Sequence, residues 1–74
     1  MREYLKELRI KNKMLQRDVA TVLGMSQHYY SRIEAGLRKK VMDIDTLLIL
    51  SDLYGVGLEW LADQEKEYLR KKGA

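Results

Sequence analysis

A chain of 74 residues, 46% hydrophobic and 34% charged, is long enough for one small hydrophobic core and too apolar to remain disordered. It has no cysteine and a single histidine, which excludes disulfides and cysteine-ligated metals and leaves too few ligands for a protein-built catalytic zinc site. The net charge of +3 conceals an asymmetry: residues 1–40 balance to +6, residues 41–69 to −6, and the last five to +3, a footprint suited to a polyanion.

Apolar residues recur at spacings of three and four and proline is absent, so the expected fold is all-α, with five helices. The first is expected from about Arg2 to Asn12, with Leu5 and Leu8 inward and Glu3, Lys6 and Glu7 outward. A second, about Gln16–Leu23, carries Val19, Ala20 and Leu23 on one face until Gly24 breaks the pattern. Ser26 can cap the third helix by accepting a bond from a free backbone N–H, and Gly36 can end it in the left-handed conformation. That third helix, about Gln27–Ala35, turns Tyr30 and Ile33 inward. It leaves Gln27, His28, Ser31 and Arg32 outward, a face that suits the major groove of DNA. A loop from Gly36 to Met42 carries Arg38, Lys39 and Lys40. Asp43 is placed to cap a fourth helix, in which Ile44, Leu47, Leu48, Leu50, Ser51 and Tyr54 are available to the core before Gly55 stops it. A fifth helix starts near Leu58, and its charged tail either continues as helix or frays.

The stretch Gln16–Gly36 resembles the helix-turn-helix of the phage repressor and Cro type, a family of small bacterial DNA-binding regulators. The resemblance is carried by Gln16, Ala20, Gly24, Ser26 and Arg32-Ile33-Glu34-x-Gly36. Upstream, Leu5-x-x-Leu8-Arg9 fits; downstream, so do Thr46-Leu47-Leu48-x-Leu50 and Leu53-Tyr54-Gly55-Val56-x-Leu58-x-x-Leu61. It covers about residues 3–62 and implies a single domain over 1–74, with 63–74 as a charged tail or helix extension. It further implies that Gln16 bonds a phosphate while braced against the recognition helix. Arg9 is implied to pair with Glu34 in a structural salt bridge, not to touch DNA. Against the family pattern, Leu15 and Gly57 stand where helix caps are usual, Tyr30 replaces Ile or Val, and the loop after Gly36 is about two residues longer. Leu15 is read as packing on the approach to the second helix, and Tyr30 as a core residue whose hydroxyl reaches the edge.

For the bases, Gln27 is the first candidate, because its amide can pair with adenine from the first turn of the recognition helix. His28 can donate to a guanine acceptor or a phosphate, or serve as plain surface; a contact through it would be pH-sensitive near neutrality. Arg32 lies one turn further on the same face, with a fork that matches guanine N7 and O6. Ser31 and Tyr29 flank this face, Ser31 toward the bases. Tyr29 can bond a phosphate, rest on thymine methyls, or be buried. Arg17, Arg38, Lys39 and Lys40, with Lys11 and Lys13, are candidates for phosphate contacts, which position a protein without reading sequence.

One recognition helix reads few base pairs, so a homodimer on a pseudo-palindromic operator is expected. Ile49, Leu53 and Trp60 fall outside the core faces of the last two helices and form the expected dimer interface, with Trp60 as its anchor and Tyr68 and Leu69 as extensions. The function expected is a sequence-specific, cytoplasmic transcriptional regulator, most simply a repressor, without cofactor or metal. Two alternatives are an antitoxin-type autoregulator that binds a toxin partner through its acidic half, and a protein-interaction module that does not bind DNA. No nucleophile–base set or phosphate-cradling glycine loop suggests an enzyme, and no apolar run suggests a membrane span.

Overall fold

Local signals fix the helix ends. The computed structural model describes residues 1–39 and 42–73, and among these it contains five α-helices and no strand. They are α1 (Glu3–Lys11), α2 (Gln16–Leu23), α3 (Gln27–Ala35), α4 (Ile44–Tyr54) and α5 (Leu58–Gly73). The chain divides into two compact units, Met1–Lys40 and Val41–Ala74.

In the first unit, α2 packs on α3 and α1 touches α3. Its helices bury Tyr4, Leu5 and Leu8 from α1, Val19 and Ala20 from α2, and Tyr30, Ile33 and Glu34 from α3. Their spacing of three, four or one places each set on a single face. The turn between α2 and α3 is set by Gly24 at φ +70°, a left-handed conformation that costs an L side chain roughly 1–2 kcal/mol. Its N–H donates to the Thr21 carbonyl, and the Met25 N–H donates to the Ala20 carbonyl, closing α2. Ser26, in extended conformation, then opens α3 by accepting from the Tyr29 N–H at 3.1 Å. Gly36 at φ +83° closes α3, and the Leu37 N–H donates to the Arg32 carbonyl at 2.8 Å.

The second unit packs α4 with α5. Asp43 caps α4, accepting from the Thr46 N–H at 3.3 Å and from the Thr46 hydroxyl at 2.8 Å. Met42, Thr46, Leu47, Leu50 and Tyr54 are buried, with Leu61 and Glu65 of α5. The tail beyond residue 62 is helical, and along it Glu67 pairs with Arg70 while the Lys72 ammonium lies 5.6 Å from the Tyr68 ring centroid.

Three expectations are corrected. Ile44 and Leu48 are exposed and do not join the core, because α4 is apolar around most of its circumference and only the stripe at 46, 47, 50 and 54 is covered. Leu15 does not pack on the approach to α2; its side chain is exposed, and the missing cap is half replaced by Asp18, whose carboxylate accepts from the Leu15 N–H at 2.9 Å. The Tyr30 hydroxyl does not reach the edge but is buried beside Glu34.

Since Leu15 is solvated, sits in extended N-cap geometry and faces a ready Asp18, Leu15→Ser completes the capping box at no packing cost. The expected gain is about 1 kcal/mol in urea unfolding. An unchanged midpoint would show that Asp18 alone satisfies this helix end.

Candidate nucleic-acid interface

The outer face of α3 is presented by its inner one. Tyr30 and Ile33 are fully buried, so helical periodicity turns Gln27, His28, Ser31 and Arg32 away from the core. Gln27 and His28 are exposed in the first turn, while Ser31 and Arg32 are half-buried in the second. Arg32 and His28 are not independent: the guanidinium Nε donates to His28 Nε2 at 3.0 Å. In that bond the imidazole nitrogen accepts. It engages the Nε edge of the guanidinium. Tyr29 is half-buried at the margin of this face.

Behind α3 sits a buried carboxylate. Glu34 accepts two bonds from Arg9, Nε to Oε2 and Nη2 to Oε1, each at 3.0 Å, in the parallel fork that suits guanidinium and carboxylate. Arg9 also donates to the Met14 carbonyl at 3.2 Å, tying down the turn that leads into α2. The Gln16 amide donates to Glu34 Oε1 at 3.3 Å. One side chain of α3 thereby fastens both other helices of this unit. Burial alone would raise the Glu34 carboxyl pKa, but bonds from Arg9 and Tyr30, the Arg9 charge and the Gln16 amide outweigh it and hold the carboxyl below its ordinary value.

Cations stand at three places along the first unit. Gln16 is half-buried and Arg17 exposed at the start of α2. Lys11 and Lys13 are exposed before it, with Lys13 in left-handed conformation at φ +56°. After α3, Arg38 is exposed and Lys39 half-buried, also left-handed, at φ +54°; Lys40, the third loop cation, lies outside the described residues. In the second unit Ile49 and Trp60 are exposed and Leu53 is half-buried.

Sequence reasoning missed Arg2, which it placed as the opening residue of the first helix. Arg2 precedes α1 and is 1% exposed. Its Nη1 donates to the Ile33 carbonyl at 2.7 Å and to the Arg38 carbonyl at 3.1 Å, and its Nη2 donates to the Lys39 carbonyl. Its own N–H donates to the Glu34 carbonyl at 2.8 Å. No periodicity signals this, because the acceptors lie 31 to 37 residues away.

Among the described residues no cluster of His, Asp or Glu could hold a metal, and no helix is long and apolar enough to cross a membrane. Compared with known families, residues 5–61 match the model of a helix-turn-helix family of Cro/C1 type. No curated protein and no solved structure matches the chain.

The Glu34 pair makes the first unit acid-sensitive. A carboxyl whose folded pKa is depressed contributes stability that is complete above its unfolded value, about 4.3, and is lost as pH falls through the lower folded value. Glu34→Gln is therefore expected to be less stable than the parent at pH 7 and to show a flatter decline of the urea midpoint below about pH 4.3. Parallel acid branches would show that Glu34 is not the group responsible. Arg9→Met, which strands a buried charge, is expected to cost about 3 kcal/mol or more, and Arg9→Met with Glu34→Leu markedly less than the two single changes together.

Proposed function

This chain belongs to the Cro/C1-type helix-turn-helix family, and on that premise we propose that it is a transcriptional repressor that occupies a pseudo-palindromic operator as a homodimer. Family membership implies DNA binding and a role in regulating transcription. The observation that carries the finer reading is the face of α3. Four polar side chains stand together on a helix whose opposite side is fully buried, with cations at the start of α2 and after the end of α3. The family match spans residues of both compact units, which supports treating 1–74 as one domain.

Gln27 reads adenine through its amide, and Ser31 supports it from the next turn. His28 and Arg32 act as one reader: the imidazole steadies the guanidinium, which offers its terminal amino groups to guanine O6 and N7. Gln16, Arg17, Tyr29, Arg38, Lys39 and Lys40 bind phosphates and fix the register. Glu34 and its partners, Arg9 among them, remain internal. Trp60, with Ile49 and Leu53, forms the contact between protomers, supported by the exposure of a tryptophan and an isoleucine within the same unit. A toxin-binding autoregulator would use the acidic second unit and the same α3 face. A module that does not bind DNA would leave the polar face of α3 without a role.

Selection of bound duplexes from a random pool at near-physiological salt tests the reading. Recovery of a palindrome with half-sites about one helical turn apart is the expected result; no enrichment overturns it. On the recovered site, Arg32→Ala and His28→Ala should lose discrimination at the same base pair, by about 1–3 kcal/mol for Arg32 and less for His28. Effects at different base pairs would separate the two residues. Trp60→Ala should shift the sedimenting species from dimer to monomer; an unchanged mass with only lowered stability would remove this patch from the interface.

A further inference from the structure

The loop after α3 carries cations, and its backbone N–H groups at Leu37 and Arg38 both donate to the Arg32 carbonyl, at 2.8 and 3.3 Å. Lys39 adopts a left-handed conformation at φ +54°, which L side chains visit at a cost. Residues 37–39 lie beyond the last turn of α3. The carbonyls of this segment are gathered by a side chain from the other end of the unit. The Arg2 guanidinium, buried to 1% exposure, takes the carbonyls of Arg38 and Lys39 together with that of Ile33 in the last turn of α3. A planar fork with five donors can bridge three carbonyls in this way; an ammonium, a single point of charge, cannot reproduce the spread. The negative end of the α3 dipole favours a cation at this place as well.

We propose that Arg2 is a positioning residue for DNA-backbone binding: it touches no phosphate itself, but fixes the loop so that the Arg38 and Lys39 side chains are held at the C-terminal end of the recognition helix. This rests on the reading of α3 and its flanking loop as a DNA-binding face. A pre-ordered loop loses less conformational freedom when its cations meet phosphates. Because phosphate contacts carry no sequence information, the effect of Arg2 falls on affinity and salt dependence, not on base preference.

The test is Arg2→Lys, which preserves net charge, so that a change in salt dependence cannot come from the charge total. Binding of the full chain to its selected duplex and to a scrambled one is measured between low and moderate salt, at a temperature where circular dichroism shows both proteins folded. Arg2→Lys should weaken binding to both duplexes by the same factor, about threefold to tenfold. It should also flatten the salt slope by about 0.9 for each phosphate that is no longer neutralised. Arg38→Ala should flatten the parent's slope but add nothing in the Arg2→Lys background. A parental slope in Arg2→Lys, with Arg38→Ala fully effective and only the melting temperature lowered, would make Arg2 purely structural and overturn the proposal. If Arg2→Lys does not fold, backbone ¹⁵N relaxation of the parent decides: order parameters at 37–39 close to those of α3 support it, and values below about 0.6 overturn it. A parent that binds neither duplex refutes the DNA-binding reading itself, whereas a parent that binds while Arg2→Lys behaves identically refutes only the role of Arg2.

Discussion

A carboxylate with almost no exposure to water is an expensive group to bury, and the first unit is arranged around making that burial tolerable. Glu34 projects from the recognition helix toward α1 and the start of α2, where Arg9 closes a bidentate fork on it and Gln16 adds an amide. Each bond also serves as a geometric constraint. The Arg9 guanidinium reaches the Met14 carbonyl as well, so the same group that neutralises Glu34 fixes the turn into α2. Hydrophobic contact between α2 and α3 is non-directional and would tolerate sliding. A fork between two planar groups would not. The angle at which α3 is offered outward is therefore tied to the ionisation of one buried acid.

The charge pattern of the sequence acquires a different meaning once individual cations are located. The first 40 residues balance to +6, but Arg2 and Arg9 are directed inward, one to carbonyls and the other to Glu34. Among the described residues Lys11, Lys13, Arg17 and Arg38 are exposed, and Lys6, Arg32 and Lys39 are half-buried. The start of α2 lies beside the last turn of α3, where Gln16 reaches Glu34, and Arg38 and Lys39 follow that same end. Both inward arginines act on backbone geometry, and a lysine in either place would keep the charge while losing the fork. A basic composition thus combines two functions that a charge count cannot separate: attraction of a polyanion, and internal fastening of the helix offered to it.

Legibility from sequence followed the range of the interactions involved. The bounds of α2 and α3 agree with the expected ones because their signals are local: Gly24, Ser26 and Gly36 act within a few residues through conformation and capping. Family resemblance pointed to the acid behind α3 and to the face in front of it. The faces of α4 were not legible, because Ile44, Leu48 and Ile49 are as apolar as Leu47 and Leu50, and hydropathy cannot select one stripe from an apolar cylinder. Leu15 misled for a related reason: an apolar residue suggests packing, but here the helix start is served by Asp18 and the leucine is left in water. Arg2 was illegible altogether. A basic residue near a chain end reads as solvated, and its three carbonyl acceptors become neighbours only once α1 and α3 have met.

The recognition helix is consequently held at its two ends and along its back. The Gly24 turn and the Ser26 cap fix where it begins, Tyr30, Ile33 and Glu34 fix its rotation, and Gly36 with Arg2 fixes where it stops. None of these groups belongs to the outer face. Gln27 and His28 are exposed, and the bond between Arg32 and His28 is itself solvated, so the outer residues contribute little to stability. On the proposed DNA-binding reading, fold and readout are therefore separable: the outer four side chains can be exchanged while the helix keeps its place. The exception is the pairing of His28 with Arg32. An exchange at either position changes what the other presents, so base preference at this face should be altered in pairs, not one residue at a time.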